Sequence, residues 1–112
     1  MKANRNSLLA LLMAASLASP LARAEEPAAL TNLGFLNGMA LACKQPALVA
    51  RLRDAVVAVV PKTREAGETF EQATNMAFLG YSDNAVCPDG KTLAERVDIG
   101  IAELKAAYGA AK

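Results

Sequence analysis

Residues 56–65, Val-Val-Ala-Val-Val-Pro-Lys-Thr-Arg-Glu, decide how this chain can fold. To their left, Leu48, Leu52, Ala55, Val56 and Val59 make an apolar stripe at helical spacing, with Arg51, Arg53 and Asp54 on the other side. To their right, Ala66, Phe70, Ala73 and Ala77 make a second stripe, flanked by Met76. Pro61 lies between them. Its ring clashes with the preceding helical turn and pushes the residue before it into extended backbone. The spacing predicts one helix from Pro46 to Val60 and another from Arg64 to Leu79. Thr63 is the N-cap of the second, Glu65 stands in its favourable first turn, and Gly80 is its C-cap.

The two cysteines show that the chain reverses or bends sharply near Pro61. Cys43 and Cys87 enclose both segments. A continuous rod from Pro46 to Gly80 would be about 52 Å long. The short linkers to the cysteines, fully extended, reach back only about 35 Å. A Cys43–Cys87 bridge therefore requires the chain to turn sharply near Pro61-Lys62-Thr63. With exactly two cysteines in an exported chain, one structural bridge is expected. A redox dithiol normally has its thiols close in sequence, as in C-x-x-C.

Export is read from the N-terminus. Lys2 and Arg5 form a positive region, residues 7–17 (SLLALLMAASL) an apolar one, and Ala22-Arg23-Ala24 an A-x-A cleavage site. The apolar run is too short for a membrane span, which needs about 20 residues. The expected organisation is a signal peptide over 1–24 and one helical domain over 25–112, located in the periplasm without a stable membrane anchor. Cleavage removes three of 12 cations and none of the 11 anions, which changes the net charge from +1 to −2 over the remaining 88 residues. A mildly acidic domain of this size carries no electrostatic footprint for nucleic acid.

Two further helices complete the pattern. Ala29, Leu33, Leu36, Ala40 and Cys43 share one face of a helix expected from Pro27 to Lys44, with Pro27 in its first turn. Gly34, Gly38 and Ala42 form a second, small-residue stripe. Each glycine costs about 1 kcal/mol against alanine in a helix, and close approach of another helix is the expected compensation. After an irregular stretch over 81–91, Leu93, Val97, Ile101, Leu104 and Tyr108 mark a last helix closed by Gly109, with Thr92 and Glu95 as its capping box. Cys87-Pro88-Asp89-Gly90 reads as a type I turn. The fold class is all-α: a small antiparallel four-helix bundle with one disulfide, in which Cys43 and Cys87 meet at one pole.

The residue types narrow the chemistry. The chain has no His and no Trp, hence no Ser-His-Asp triad, Cys-His dyad or imidazole metal site. Glu65, Glu68 and Glu71, near Lys62 and Arg64, read as a solvated charged face. Met39 and Met76 read as core filling, since two methionines without histidine make a poor Cu(I) site. Asn37, Gln72 and Asn75 are expected at the surface; if buried, each needs a partner. Tyr81, Ser82, Asp83 and Asn84 form a possible binding loop held near the bridge, and Ser82 has no base to activate it. No catalytic residue, metal or cofactor is expected.

The run Cys87-Pro88-Asp89-Gly90-Lys91-Thr92-Leu93, followed by Val97-Asp98, resembles the C-P-x-G-x-T-L-x-x-x-V-D run of small periplasmic Rap/Tai-type immunity proteins. That resemblance covers about twelve residues. It implies a helical, exported, disulfide-containing protein that neutralises a peptidoglycan amidase, and it assigns no inhibitory residue. The functional expectation is a small periplasmic binding protein, an inhibitor or immunity-type partner of another periplasmic protein. A holdase chaperone is the first alternative: periplasmic acid-stress chaperones of the HdeA type are similar in size, helicity, export and single disulfide. A carrier of a small ligand or metal in the bundle core is the second. Oligomeric state, and the choice between a full turn and a sharp kink at Pro61, stay open.

Overall fold

The structure is a computed structural model that describes residues 18–83 and 86–109, apart from the side chains of 18–24 and 83. Four helices make up the described residues: α1 Ala18–Ala42, α2 Pro46–Val59, α3 Arg64–Asp83 and α4 Gly90–Gly109. Of the signal peptide expected over 1–24, residues 1–17 and the side chains of 18–24 lie outside the described residues.

α1 begins nine residues before Pro27, which sits inside the helix rather than at its start. The helix runs through Pro27 although its ring lacks the N–H that would bond back to the preceding turn. At the other end α1 stops at Ala42, two residues short of the expected end at Lys44. Lys44 takes the left-handed conformation (φ 58°). The Gln45 N–H then donates to the Ala40 carbonyl (2.9 Å) and the Lys44 N–H to that of Leu41 (3.3 Å), a Schellman closure. Pro46 follows as the first residue of α2.

α2 buries Leu48, Leu52 and Ala55. Val60, just beyond it, is extended (φ −89°, ψ 131°), as the residue before a proline must be. The chain reverses over 60–63, which makes Pro61 part of a full turn between two helices. Thr63 caps α3 as expected: its Oγ1 accepts from the Ala66 N–H at 3.1 Å.

Two boundaries differ from the sequence reading. Gly80 does not end α3, which continues to Asp83. No glycine among the described residues has positive φ, so Gly80 stays helical. Tyr81, half-buried against the core, gives the extra turn something to pack on. At α4 the cap is Asp89, not Thr92. The Asp89 carboxylate accepts from the Thr92 N–H at 2.7 Å and its carbonyl from the Leu93 N–H at 3.0 Å. Cys87-Pro88-Asp89 therefore leads straight into a helix that starts at Gly90, and the expected turn and Thr92–Glu95 capping box give way to an earlier start.

This cap titrates. The hydrogen bond from the Thr92 backbone holds the Asp89 carboxyl below the usual aspartate value. The folded state thus favours the ionised form. The stabilisation is complete above the ordinary aspartate pKa of about 3.9 and is lost as pH falls through the lower folded value. Asp89→Ala is expected to speed hydrogen exchange at residues 90–93 at neutral pH. Asp89→Asn should keep the protection and lose its acid dependence. Equal exchange in all three proteins would show that Asp89 does not cap α4.

The helices assemble around α1, which packs on each of the other three. Successive helices alternate in direction, giving the expected antiparallel four-helix bundle. α4 runs against α1: Cys43 bridges Cys87 at one pole (Cα–Cα 5.8 Å), and a Cβ on Gly100 would meet the Leu36 and Leu33 side chains at 2.7 and 3.2 Å. α3 runs alongside α1 in the same direction. Gly34 faces Phe70 and Ala73, and Gly38, one turn later, faces Thr74 and Ala77. The small-residue stripe is therefore a helix–helix contact, as its composition suggests. The main core joins Leu30, Leu33, Leu36, Leu52, Leu93, Val97 and Leu104 from α1, α2 and α4. Arg51 and Asp98 form an exposed ion pair between α2 and α4.

α3 sits apart from the other two outer helices. It packs along α1 alone, and α2 and α3 come together only at their connection.

Candidate functional site

The sequence-predicted binding loop is not a loop. Tyr81, Ser82 and Asp83 are the last turn of α3, and Asn84 lies outside the described residues. Tyr81 is half-buried against the core and Ser82 is exposed. Successive helical positions point the Tyr81 and Ser82 side chains in different directions around the axis.

Asn37 is the main departure from expectation. It is not at the surface: only 1% of it is exposed, and it is the only polar or charged residue buried among the described residues. Its position between Gly34 and Gly38 explains why. Those glycines draw α3 so close that the side chain between them is covered too. Its partner is Thr74, reached from the Asn37 amide Nδ2 at 3.2 Å. The Thr74 hydroxyl donates in turn to the Phe70 carbonyl at 2.8 Å. That bond uses the only hydroxyl proton, so Thr74 Oγ1 must accept from asparagine. With this arrangement Asn37 Oδ1 is left buried without a hydrogen-bond partner. A buried acceptor of this kind costs about 1–3 kcal/mol.

Asn37 and Thr74 form the floor of a cleft of about 400 Å³ between α2 and α3. Its walls are Arg53 from α2 and Phe70, Glu71 and Asn75 from α3. Arg53, Glu71 and Asn75 are exposed, as expected for Asn75. Neither Arg53 nor Glu71 makes an ion pair among the described residues; Glu68, the neighbouring glutamate, is paired with Arg64 at 3.1 Å. The expected charged face of α3 is therefore split, with Glu71 turned to the cleft. Sequence reading missed Arg53, Thr74 and Glu71 as a group. The one available signal was a polar residue set inside a glycine stripe.

A second cavity, of about 220 Å³, opens at the opposite pole between Glu26, Leu30, Pro61, Ala66 and Tyr108. Burial, and then the nearby Glu26 carboxylate, push the Tyr108 phenol above its usual pKa. Met39 is buried in the core, whereas Met76 is largely exposed, against the expectation of core filling for both. Among the described residues no group of three or more Cys, Asp or Glu is placed to hold a metal ion. No helix among them is long and apolar enough to cross a membrane.

The arrangement defines a disulfide-pinned helical scaffold with a polar cleft between α2 and α3. No family model, curated protein or solved structure matches this chain.

Proposed function

We propose that this chain is a small exported binding protein that forms a stoichiometric complex with another exported protein, in the manner of an inhibitor or immunity partner. The observation that carries this reading is the large apolar side chains left in solvent late in α3 and beside Cys87. Met76 and Leu79, one turn apart on α3, are 66% and 63% exposed, and Val86, beside Cys87, is 90% exposed. Large apolar side chains gathered in solvent and rimmed by polar ones mark protein–protein contact sites. The Cys43–Cys87 bridge holds this end of the molecule together, so little ordering would be needed on binding.

Export is supported by Lys2 and Arg5, the apolar run over 7–17 and the Ala22-Arg23-Ala24 site, together with a bridge of the kind that persists in oxidising compartments. Cleavage after Ala24 would leave Glu25 and Glu26 at the start of α1 and return Pro27 to a first-turn position, both favourable there.

The test is affinity capture from periplasmic extract with the oxidised protein and a Met76→Glu/Leu79→Glu variant. Wild type is expected to retain one protein at a one-to-one ratio. The variant, equally helical, should lose it. Failure of wild type to enrich any single species, or equal capture by the variant, overturns the proposal.

A further inference from the structure

We propose that the cleft between α2 and α3 binds a small zwitterion, an amino acid or a solute of the same chemistry, with its carboxylate at Arg53 and its ammonium between Glu71 and Asn37. The site is distinct from the apolar group at Met76 and Leu79 and does not depend on the complex proposed above.

The cleft follows from the packing. α3 is held on α1 by Gly34 and Gly38 and does not close against α2. The gap of about 400 Å³ falls within the usual size range of small-molecule sites. Its floor carries an unmet demand. Asn37 Oδ1 is buried and unpartnered, while the amide Nδ2 is engaged by Thr74 Oγ1. That oxygen needs a donor, and since it is closed to solvent a ligand N–H reaches it only as the walls part. Because α2 and α3 do not pack on each other, their walls can part to admit it.

The walls define the rest of the ligand. Arg53 presents a planar fork of donors suited to a carboxylate. Glu71, across the cleft, presents the acceptor for a cation. Opposite charges on facing helices, neither paired elsewhere among the described residues, match a molecule that carries both. A simple carboxylate leaves Glu71 and Asn37 unanswered, and a simple amine leaves Arg53 unanswered. Phe70 adds an apolar surface for a short side chain.

Isothermal titration of the exported, oxidised protein tests this. The probes are a panel of free amino acids, with acetate and propionate as carboxylates lacking the amine, and methylamine and ethylamine as amines lacking the carboxylate. At least one amino acid should bind at least roughly tenfold more tightly than either class of fragment. Arg53→Gln and Glu71→Gln, both at exposed positions, should each weaken it about tenfold or more without changing the melting temperature. The Asn37 side-chain amide resonances should move on titration in wild type. Met76→Glu/Leu79→Glu should bind as wild type does, which separates this site from the proposed protein contact. Absence of binding by every probe up to about 10 mM, fragment binding equal to that of the amino acid, or affinity unchanged in both glutamine variants overturns the proposal. In those cases the cleft holds water alone.

Discussion

Replacing Cys43 and Cys87 together with serine is expected to lower the free energy of unfolding by about 4 kcal/mol, the chain-entropy value for a closed loop of this length. The bridge spans 44 positions and encloses all of α2 and α3. In the unfolded chain it forbids the many arrangements in which those positions lie apart. In the folded chain it joins the end of α1 to the start of α4, where each helix already needs the other: Gln45 lies against Gly90 at the same pole. A small domain has only about 5–15 kcal/mol of stability in all, so the loss would leave it marginal. Urea unfolding of wild type, of wild type reduced by a phosphine and of the double serine variant checks this. The last two should coincide, with midpoints well below that of the oxidised protein. A difference under about 1 kcal/mol would mean that the core of Leu30, Leu33, Leu52, Leu93, Val97 and Leu104 suffices without the bridge.

The second large effect is expected at Gly38. A Cβ there would run into the Thr74 carbonyl oxygen and lie 2.8 Å from both the Ala77 Cβ and the Phe78 nitrogen. Two of those three atoms are backbone of the facing helix and cannot rotate aside. Gly38→Ala gains about 1 kcal/mol of helix propensity but forces α3 away from α1, an overpacking cost of about 3 kcal/mol or more at a contact this close. α3 has no other helix to rest on, so the damage should concentrate in it. The expected result is a net loss of about 2 kcal/mol or more, with hydrogen exchange over 64–83 accelerated more than over α2 or α4. Gly67 and Gly80 supply the controls, since nothing lies within 4 Å of a Cβ built at either. Alanine there should stabilise by about 0.5–1 kcal/mol. If Gly38→Ala behaved like those two, the close contact of α1 with α3 would be refuted.

The two substitutions probe features of unequal legibility. The bridge and the reversal at Pro61 were readable because they rest on covalent reach and on the steric rule for proline, which need no knowledge of neighbours. The Thr63 cap was readable because its whole interaction lies within three residues. Gly80 misled because glycine permits a left-handed cap without requiring one, and the packing of Tyr81 kept the helix going. Thr92 misled because Asp89, three residues earlier, could make the same kind of bond and open the helix sooner. The loop conformation expected for Tyr81, Ser82 and Asp83 followed from the first of these errors.

Asn37 shows the boundary most clearly. The glycine spacing around it announced that a helix comes close, but not which one. α2 and α3 are both amphipathic, and a bundle with α3 beside α2 would have satisfied the same apolar pattern. In that arrangement Asn37 could face water, and Arg53 and Glu71 would have no shared cleft. By itself the sequence determined four helical segments, their alternating direction and the cysteine pairing, because each is set by forces acting within a turn or along a tether of known length. Only the tertiary structure decided that α3 lies on α1, that Asn37 is buried and that a charged cleft opens beside it. That choice depends on the fit of Gly34 and Gly38 against Ala73, Thr74 and Ala77, a shape match between residues some forty positions apart.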